Sequence, residues 1–430
     1  MSTTLKAVRG TRDLLPPETA LWERVERIAR EVFARYNFGE IRTPVFEDTQ
    51  LFARGVGEET DIVAKEMYTW EDRARAQSEK AQSLTLRPEN TAGVVRAYIE
   101  HKLGDSGLLQ KLYYIGPQFR RERPQKGRYR QFYQIGAEII GPPSSGSESP
   151  LRDAEVLEML ATLLDELGIK GWTLTLNSVG SSSDRPRYIA ALKEALAPVK
   201  DKMCVDCQRR AETNPLRVLD CKHPEDQPII ETLPRIADYL DEASRTHFAQ
   251  VLAGLDACGV KYTVNPRLVR GLDYYTRTTF EFTVETGLGT QNALLGGGRY
   301  DGLSEMLGGP KAPGIGFAIG EDRLILILQA QAGDAAAPKA DAYIAPIGEA
   351  QNAYALALAR ELRRAGLTIE TGDGSARLKK SFETADKLAR NIVLVGEDEA
   401  QSGILTVKDF AAGEQTKIPR AELASALKVS

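Results

Sequence analysis

Apolar residues recur at three- and four-residue spacing between positions 17 and 36, where Leu21, Val25, Ile28, Ala29, Val32, Phe33 and Tyr36 share one face. That spacing predicts an amphipathic helix, with Pro17 suited to its first turn and Gly39 beyond its end. The period then shortens. Residues 41–45 read as a strand, and Pro44 places it at an edge or an interface. Residues 50–83 are largely polar, and the run EDRARAQSEKAQS reads as a solvated hairpin tip. A strand at 84–86 breaks at Arg87-Pro88-Glu89-Asn90-Thr91, and a helix follows with Val94, Val95, Tyr98, Ile99 and Leu103 as its apolar positions. Strands are predicted at 113–115 and 131–141, then a polar loop at 142–150, a helix over 152–167 and a strand over 172–177. Residues 184–255 are helix-rich with no strand signal and read as an inserted module. Strands return at 262–265 and at 278–285, where Thr278, Phe280, Phe282 and Val284 alternate with Thr279, Glu281, Thr283 and Glu285. A last strand at 314–319 leads into a helix from Gly320 whose run 324–328 is apolar almost throughout, so that helix should be buried.

A different rhythm follows QAQAGDAAAPKA (329–340), a linker of Ala, Gly and Pro. Strands at 341–347, 367–371, 391–395 and 403–408 alternate with helices near 349–365, 376–390 and 419–428. This predicts a separate small α/β domain with a mixed or parallel sheet. The expected division is 1–183 and 256–330 for an α+β domain with an antiparallel sheet, 184–255 for the helical insertion, 331–340 for the linker and 341–430 for the second domain. Arg377, Lys379, Lys380, Lys387 and Arg390 gather on one helix of that domain, either as a solvated face or as a contact for a phosphate backbone.

Composition narrows the chemistry. The chain of 430 residues carries a net charge of −4, which argues against a basic nucleic-acid coat protein and leaves local patches as the means of holding a polyanion. There is no apolar run long enough to span a bilayer, and the N-terminus lacks a signal-peptide core, so a cytosolic chain with no membrane partner is expected. Three histidines weaken Ser-His-Asp, Cys-His and multi-histidine metal mechanisms. The four cysteines are too sparse for a disulfide scaffold. Cys204-x-x-Cys207, with Cys221 and His223 downstream, has the residue types for zinc, but Cys-x-His is not a standard knuckle spacing. Reduced structural cysteines, and no metal held by the protein, are expected.

The richest stretch is FRRERPQKGRYRQFYQIGAEIIG (119–141). Its first half holds six basic residues and one acid, Glu122. Its second half reads as a strand, so Gln134, Gly136 and Glu138 share one face and Tyr133, Ile135, Ala137 and Ile139 the other. A carboxylate and a carboxamide flanking a glycine gap are costly to bury without a partner. They are either a solvated edge or a small polar ligand site beside a polyanion site. Glu89 and Thr91 stand at a strand-to-helix turn, where they can meet a ligand or merely cap the helix. Arg270 beside Gly271 allows charge and bare backbone to approach an anion together, or is a surface turn. Arg323, in the first turn of its helix, opposes the helix dipole; a bound anion would explain it, and so would neutralisation by Glu321 and Asp322. No G-x-x-x-x-G-K-[ST] loop occurs, and GGGRYDG (296–302) precedes no Rossmann unit. A nucleotide would have to be held by arginines on an antiparallel sheet.

The same residues carry a resemblance. FRRERPQKGRYRQFYQIGAEIIG is similar to motif 2 of the class II aminoacyl-tRNA synthetases, GIGFAIGEDR to motif 3, and the segment 39–44 to the weaker motif 1, which builds the dimer interface in that class. TLRPENTA, VRGLDYY and RGTRDLLP resemble the histidyl-tRNA synthetase family specifically. The likeness runs nearly end to end, so it implies an antiparallel catalytic sheet, a helical insertion and a C-terminal anticodon-binding domain. It implies formation of histidyl-adenylate from histidine and ATP with Mg²⁺, then transfer to the 3′ end of tRNA-His by a homodimer. Residue by residue, it gives Arg120 to the α-phosphate, Glu122 to the adenine amino group, and Arg128 and Arg323 to the γ-phosphate. Arg270 meets the α-phosphate from another side, making Arg120, Arg270 and Arg323 the catalytic set. Glu89, Thr91 and Gln134 hold the α-amino group, while Glu138, Tyr274 and Tyr275 surround the imidazole. Gln125 meets the tRNA acceptor end. Two positions depart from the family's pattern: Asn90, where glycine is frequent, is tolerable because asparagine also adopts αL geometry, and Tyr133, a position that can be histidine, faces away from the pocket by alternation.

Three other readings compete. A catalytically dead paralogue that regulates ATP phosphoribosyltransferase usually lacks the anticodon domain and degrades RGLDYY, and both are intact here. Synthetases for proline, threonine or glycine share the C-terminal domain, but RGLDYY and Glu138 argue against them. A non-enzymatic RNA-binding protein would have no need of Arg270 and Arg323 beside the motif 2 arginines.

Overall fold

The computed structural model describes residues 4–57, 60, 62–72, 81–271, 274–285, 292–332 and 339–429, in two compact units, Met1–Ala335 and Ala336–Ser430. In the first unit the strands are β1 (Gly39–Glu40), β2 (Phe46–Asp48), β3 (Tyr68–Asp72), β4 (Gln82–Leu86), β5 (Gln110–Phe119), β6 (Gln131–Ile140), β7 (Trp172–Ser178), β8 (Tyr262–Val264), β9 (Thr276–Val284), β10 (Ala293–Arg299) and β11 (Gly314–Gly320). Eight of them form one sheet in the order β1-β5-β6-β11-β10-β9-β7-β8, and β2-β4-β3 form a small second sheet.

The large sheet is antiparallel through its centre, as the pattern predicts, but its two outer pairs, β1 with β5 and β7 with β8, run parallel. The strand expected over 41–45 does not form. Pro44 has no N–H to donate, and the segment instead links β1 to β2, with the Ile41 amide donating to the Tyr113 carbonyl at 2.8 Å. β3 and β4 do make the expected hairpin; its tip, 73–80, lies outside the described residues, as do 333–338 of the linker.

Strand alternation sorts the two faces. Ile135, Ala137 and Ile139 of β6 join Phe280, Phe282 and Phe317 in a buried core. Helices α1 (Glu18–Arg35), α2 (Thr49–Val56), α3 (Thr91–Glu100) and α4 (Pro150–Glu166) divide between the faces, with α1 and α4 supplying Val25, Val32, Phe33, Leu157, Leu160 and Leu164 to that core. Each fully buried side chain of this size contributes about 1.5–3 kcal/mol. The even-numbered face of β6 is therefore released from packing duty and faces a cleft.

Between β7 and β8 the described residues form helices α5 (Arg185–Leu196), α6 (Val205–Thr213), α7 (Gln227–Glu231) and α8 (Glu242–Ala257), with no strand. The insertion does not stand apart as a third unit. Its Tyr188, Leu192, Cys207, Val218 and Ile230 share a buried cluster with Tyr274, Tyr275 and Tyr300, while Val251 and Leu255 of α8 enter the main core. The unit closes with α9 (Leu303–Met306) and α10 (Glu321–Ala332), and Leu324, Ile325, Ile327 and Leu328 of α10 are buried.

The second unit contains β12 (Ala340–Pro346), β13 (Ile369–Thr371), β14 (Ala389–Val395), β15 (Ile404–Asp409) and β16 (Gln415–Pro419), with helices α11 (Asn352–Arg364), α12 (Leu378–Leu388), α13 (Glu397–Ser402) and α14 (Arg420–Val429). The sheet order is β13-β12-β14-β15-β16, parallel over the first three strands and antiparallel over the rest. β16 and α13 escape the sequence reading because both are short and polar. Arg377, Lys379, Lys380, Lys387 and Arg390 are all exposed, and Arg390 pairs with Asp341. Among the described residues no helix is long and apolar enough to cross a membrane.

Candidate active site

The cleft over the even-numbered face of β6 has a volume of about 930 Å³ and is lined from one end by carboxylates and tyrosines and from the other by arginines. At the first end Glu138 is fully buried. Its Oε1 accepts from the Thr91 hydroxyl at 2.7 Å and its Oε2 from the Tyr300 hydroxyl at 2.6 Å, with the Tyr114 hydroxyl at 3.5 Å. Burial pushes its carboxyl up to about 8, against the opposing pull of the Tyr300 and Thr91 bonds. The backbone of β11 makes room for it: a Cβ on Gly316 would lie 1.6 Å from Glu138 Oε2.

Glu89 realises both of the uses open to it. Its carboxylate accepts from the Thr91 and Ala92 amides at 2.7 and 3.0 Å, capping α3, and it also lines the cleft. Burial pushes its carboxyl up, and those two amide bonds oppose the shift. Asn90 does not cap the helix with its side chain, and its φ of −117° is ordinary backbone. The αL tolerance expected to excuse asparagine here is not called upon; its Oδ1 instead accepts from Thr43 at 2.5 Å. Gln134 is buried in the cleft wall, and its Oε1 has no hydrogen-bond partner among the described residues.

The gap expected at Gly136 is not open. Tyr114 sits directly opposite in register, and a Cβ on Gly136 would lie 2.4 Å from the Tyr114 ring and hydroxyl. The glycine is there to let Tyr114 cross the strand. Tyr274 and Tyr275 are buried with centroids 4.8 Å apart, and Tyr274 also meets Tyr300 edge-on at 5.9 Å. Tyr133 packs against Trp22 on the opposite face.

At the other end, Arg120 is aimed by a bond from Nε to the Pro88 carbonyl at 2.9 Å and lies over the Phe132 ring at 5.1 Å. Glu122 takes Arg128 at 3.0 Å and stands 3.8 Å from Arg120. The strands on either side of this basic stretch are joined by a turn in which Gln125 and Arg128 exchange backbone hydrogen bonds of 3.1 and 2.9 Å, closed by Gly127 at φ +74°. Gln125 is exposed at its tip. Arg323 is largely buried, and burial together with the Arg128 charge pushes its guanidinium below the usual arginine range. Asp322 accepts from the Tyr133 amide at 3.0 Å and from Arg12 at 3.1 Å. Arg270 donates to Glu281 and lies flat on β10, where a Cβ on Gly296 would come within 2.5 Å of the guanidinium. Leu272 and Asp273 lie outside the described residues.

Arg270, Arg120, Glu122, Arg128, Arg323, Glu89, Thr91, Gln134, Tyr274 and Tyr275 thus line one cleft, with Glu138 bonded to Thr91 behind it. Sequence reading overlooked Tyr114, Tyr300, Glu281 and Arg12. Glu281 alone left a signal, a charge on an apolar-flanked strand. Chemically, the arrangement pairs a cationic track for a polyphosphate with a buried acceptor for a small polar N–H group, and among the described residues no side chain is poised as a nucleophile.

Glu321 belongs to the frame of this site. Burial, with the Glu26 and Asp322 charges adding, pushes its carboxyl up to about 9 from an ordinary value of 4.5. The folded chain therefore holds a proton that the unfolded chain has released in that range, and stability falls as pH rises between those values. Glu321→Gln should make the melting temperature less sensitive to pH between 5 and 9; thermal melts across that range check it, and an unchanged slope would contradict it.

Comparison with known proteins gives a consistent result. A family model described as histidyl-tRNA synthetase matches residues 10–324, and one described as an anticodon binding domain matches 341–429. A histidine–tRNA ligase of Koribacter versatilis is 72% identical over 98% of this chain and 95% of its own length. One from Solibacter usitatus is 56% identical over 98% of this chain and 99% of its own. The crystal structure of apo histidyl-tRNA synthetase from S. aureus superposes with a TM-score of 0.80 at 38% identity, covering 99% of this chain and 100% of that one.

Proposed function

The chain belongs to the histidyl-tRNA synthetase family, and from that footing we propose how the residues of its cleft share the work. It is an aminoacyl-tRNA synthetase that uses ATP to charge tRNA with histidine. The observation that carries the assignment of roles is the polarity of the cleft, with Glu89, Thr91 and the tyrosines, backed by buried Glu138, at one end and Arg120, Arg270 and Arg323 at the other.

Histidine lies with its ring towards Glu138, which accepts a ring N–H that no apolar pocket could satisfy. Tyr274 and Tyr275 flank the ring. Glu89, Thr91 and Gln134 take the α-ammonium group, for which the unpartnered Gln134 Oε1 is suited. The substrate carboxylate is left pointing along the cleft towards the arginines. One of its oxygens forms a bond to the α-phosphorus of ATP while the bond from that phosphorus to the pyrophosphate oxygen breaks. Arg120 and Arg270 stabilise charge on the α-phosphoryl oxygens from two sides, and Arg128 and Arg323 hold the γ-phosphate. Glu122 accepts from the adenine amino group. Catalysis is positioning plus electrostatic stabilisation, in keeping with the absence of a poised nucleophile among the described residues.

ATP enters with Mg²⁺. Glu281, bonded to Arg270 and close enough to Arg323 to act on its charge, would offer the hard oxygen donor that this ion takes, and the ion would neutralise phosphate charge when bound. The exposed Gln125 meets the acceptor end of tRNA-His, whose 3′ hydroxyl displaces AMP from the adenylate. The C-terminal unit binds the anticodon stem. We infer further that the protein works in the cytoplasm as a homodimer built around the segment 39–44, a reading supported by the exposed edge position of β1.

ATP–pyrophosphate exchange, run with each amino acid in turn, tests the reading. Exchange should appear with histidine and not with proline, threonine or glycine. Exchange with a different amino acid, or with none, would overturn it.

A further inference from the structure

The insertion carries a second cluster of chemically distinctive side chains. Cys204 precedes α6 and Cys207 lies in its first turn; Cys221 follows the short turn Pro215–Asp220, and Asp226 ends the next one, Pro224–Asp226. One ligand atom from each of Cys204, Cys207, Cys221 and Asp226 lies within 4.8 Å of all the others. The Cys204 and Cys221 sulfurs are 3.8 Å apart, and Asp226 Oδ2 is 3.2 Å from Cys221 Sγ. A tetrahedral zinc with Zn–S bonds of about 2.3 Å sets its sulfurs roughly 3.8 Å apart.

The surroundings are arranged as they are around thiolate ligands. The His223 amide donates to Cys221 Sγ at 3.4 Å. The Cys204 amide donates to Asp226 Oδ1 at 2.9 Å, fixing the carboxylate so that Oδ2 faces the sulfurs. Cys207, Cys221 and Asp226 are buried, Asp226 completely, and Asp226 has no ion pair among the described residues. A buried carboxylate among three thiols is expensive unless a cation compensates it.

We propose that Cys204, Cys207, Cys221 and Asp226 bind one Zn²⁺ ion as a closed structural site. Thiolate ligands select zinc over magnesium or calcium, and four protein ligands leave no position open for catalysis. The fourth ligand is Asp226 and not the nearby His223; the turn at 224–226 swings the carboxylate inward and leaves His223 exposed. The site bears on the cleft. Cys221 lines its wall, and its carbonyl accepts from Gln227 Nε2 at 2.7 Å, while Gln227 Oε1 accepts from Arg267 at 2.6 Å. Arg267 lies three residues before Arg270, so the ion would pin the wall against which the Arg270 segment rests.

Metal content of the full-length protein, purified under reducing conditions, incubated with Zn²⁺ and dialysed exhaustively, tests this. About one zinc per chain should remain. Cobalt in its place should give the visible absorption bands of a tetrahedral thiolate site. Cys207→Ser and Asp226→Asn should lose most of the bound metal, whereas Cys258→Ser, at an exposed cysteine elsewhere, should keep it. Stripping the metal with a chelator should lower the melting temperature by on the order of several degrees. Retention of no zinc by the unmodified protein would overturn the proposal, as would equal retention by the Cys207 and Asp226 variants. A disulfide between Cys204 and Cys221 in metal-free protein alkylated at isolation would overturn it too.

Discussion

Arg270→Ala will slow histidyl-adenylate formation by on the order of 10²–10³, the usual effect of removing one preorganised donor from a developing oxyanion. The loss should fall on the rate of ATP–pyrophosphate exchange, while tRNA affinity in a filter-binding assay stays near the unmodified value. Arg270 is well suited to this role because it is held before any substrate arrives. Glu281 grips one side of the guanidinium, and the bare backbone at Gly296 lets it lie on the sheet. Arg270→Lys should recover only part of the rate, because a point charge cannot reproduce a planar fork with two edges in use. Glu281→Gln should also slow exchange, since it loosens the aim of Arg270 and weakens the donor offered to Mg²⁺, but should cost less than Arg270→Ala because the cation remains. An Arg270→Ala enzyme with undiminished exchange would make the arginine a bystander.

Glu138→Gln should lower kcat/KM for histidine by on the order of 10- to 100-fold, through loss of a hydrogen bond between charged partners worth about 1.5–3 kcal/mol. Its pH signature is more specific than its size. Burial pushes the free carboxyl up to about 8, and the histidine ring titrates near ~6.5. Between those values the empty site carries a proton, the free ring carries none, and the complex holds one proton between them. Binding then neither takes up nor releases a proton. Below the ring's value one proton must leave on binding, and above that of Glu138 one must be supplied. KM for histidine should therefore be lowest between roughly pH 6.5 and 8, and rise about tenfold per unit on either side. Measuring KM from pH 5.5 to 9 on both enzymes checks this. If Glu138→Gln keeps the same alkaline limb, Glu138 is not the group responsible.

The alternation of β6 made one face of the site legible in the sequence, because period-two patterning needs no knowledge of neighbours. Gln134 stood out by that alternation, Arg323 as a cation opposing its helix dipole, and Arg120 within a dense basic run whose division of roles came from the family resemblance. Tyr114 and Tyr300 were invisible because their roles arise from register. Only when Tyr114 pairs with Gly136 does a glycine that reads as an opening become the floor under a tyrosine. Glu89 shows how two readings offered as alternatives can both hold, since one carboxylate can cap a helix and still face a cleft. At the cysteines, the Cys-x-His spacing argued against a metal, and only the short turn at 224–226 brings Asp226 beside the three sulfurs. The missing strand at 41–45 was a matter of chemistry already visible in Pro44, which cannot complete a ladder.

The parallel outer pairs of the large sheet have a consequence for how this protein behaves when crowded. β1 is two residues long and β8 three, so an eight-stranded sheet ends on each side in a scrap of ladder. Few unpaired amides and carbonyls are left in line to recruit a stray strand from another chain. Short outermost strands are one of the devices that keep a sheet rim from templating another chain.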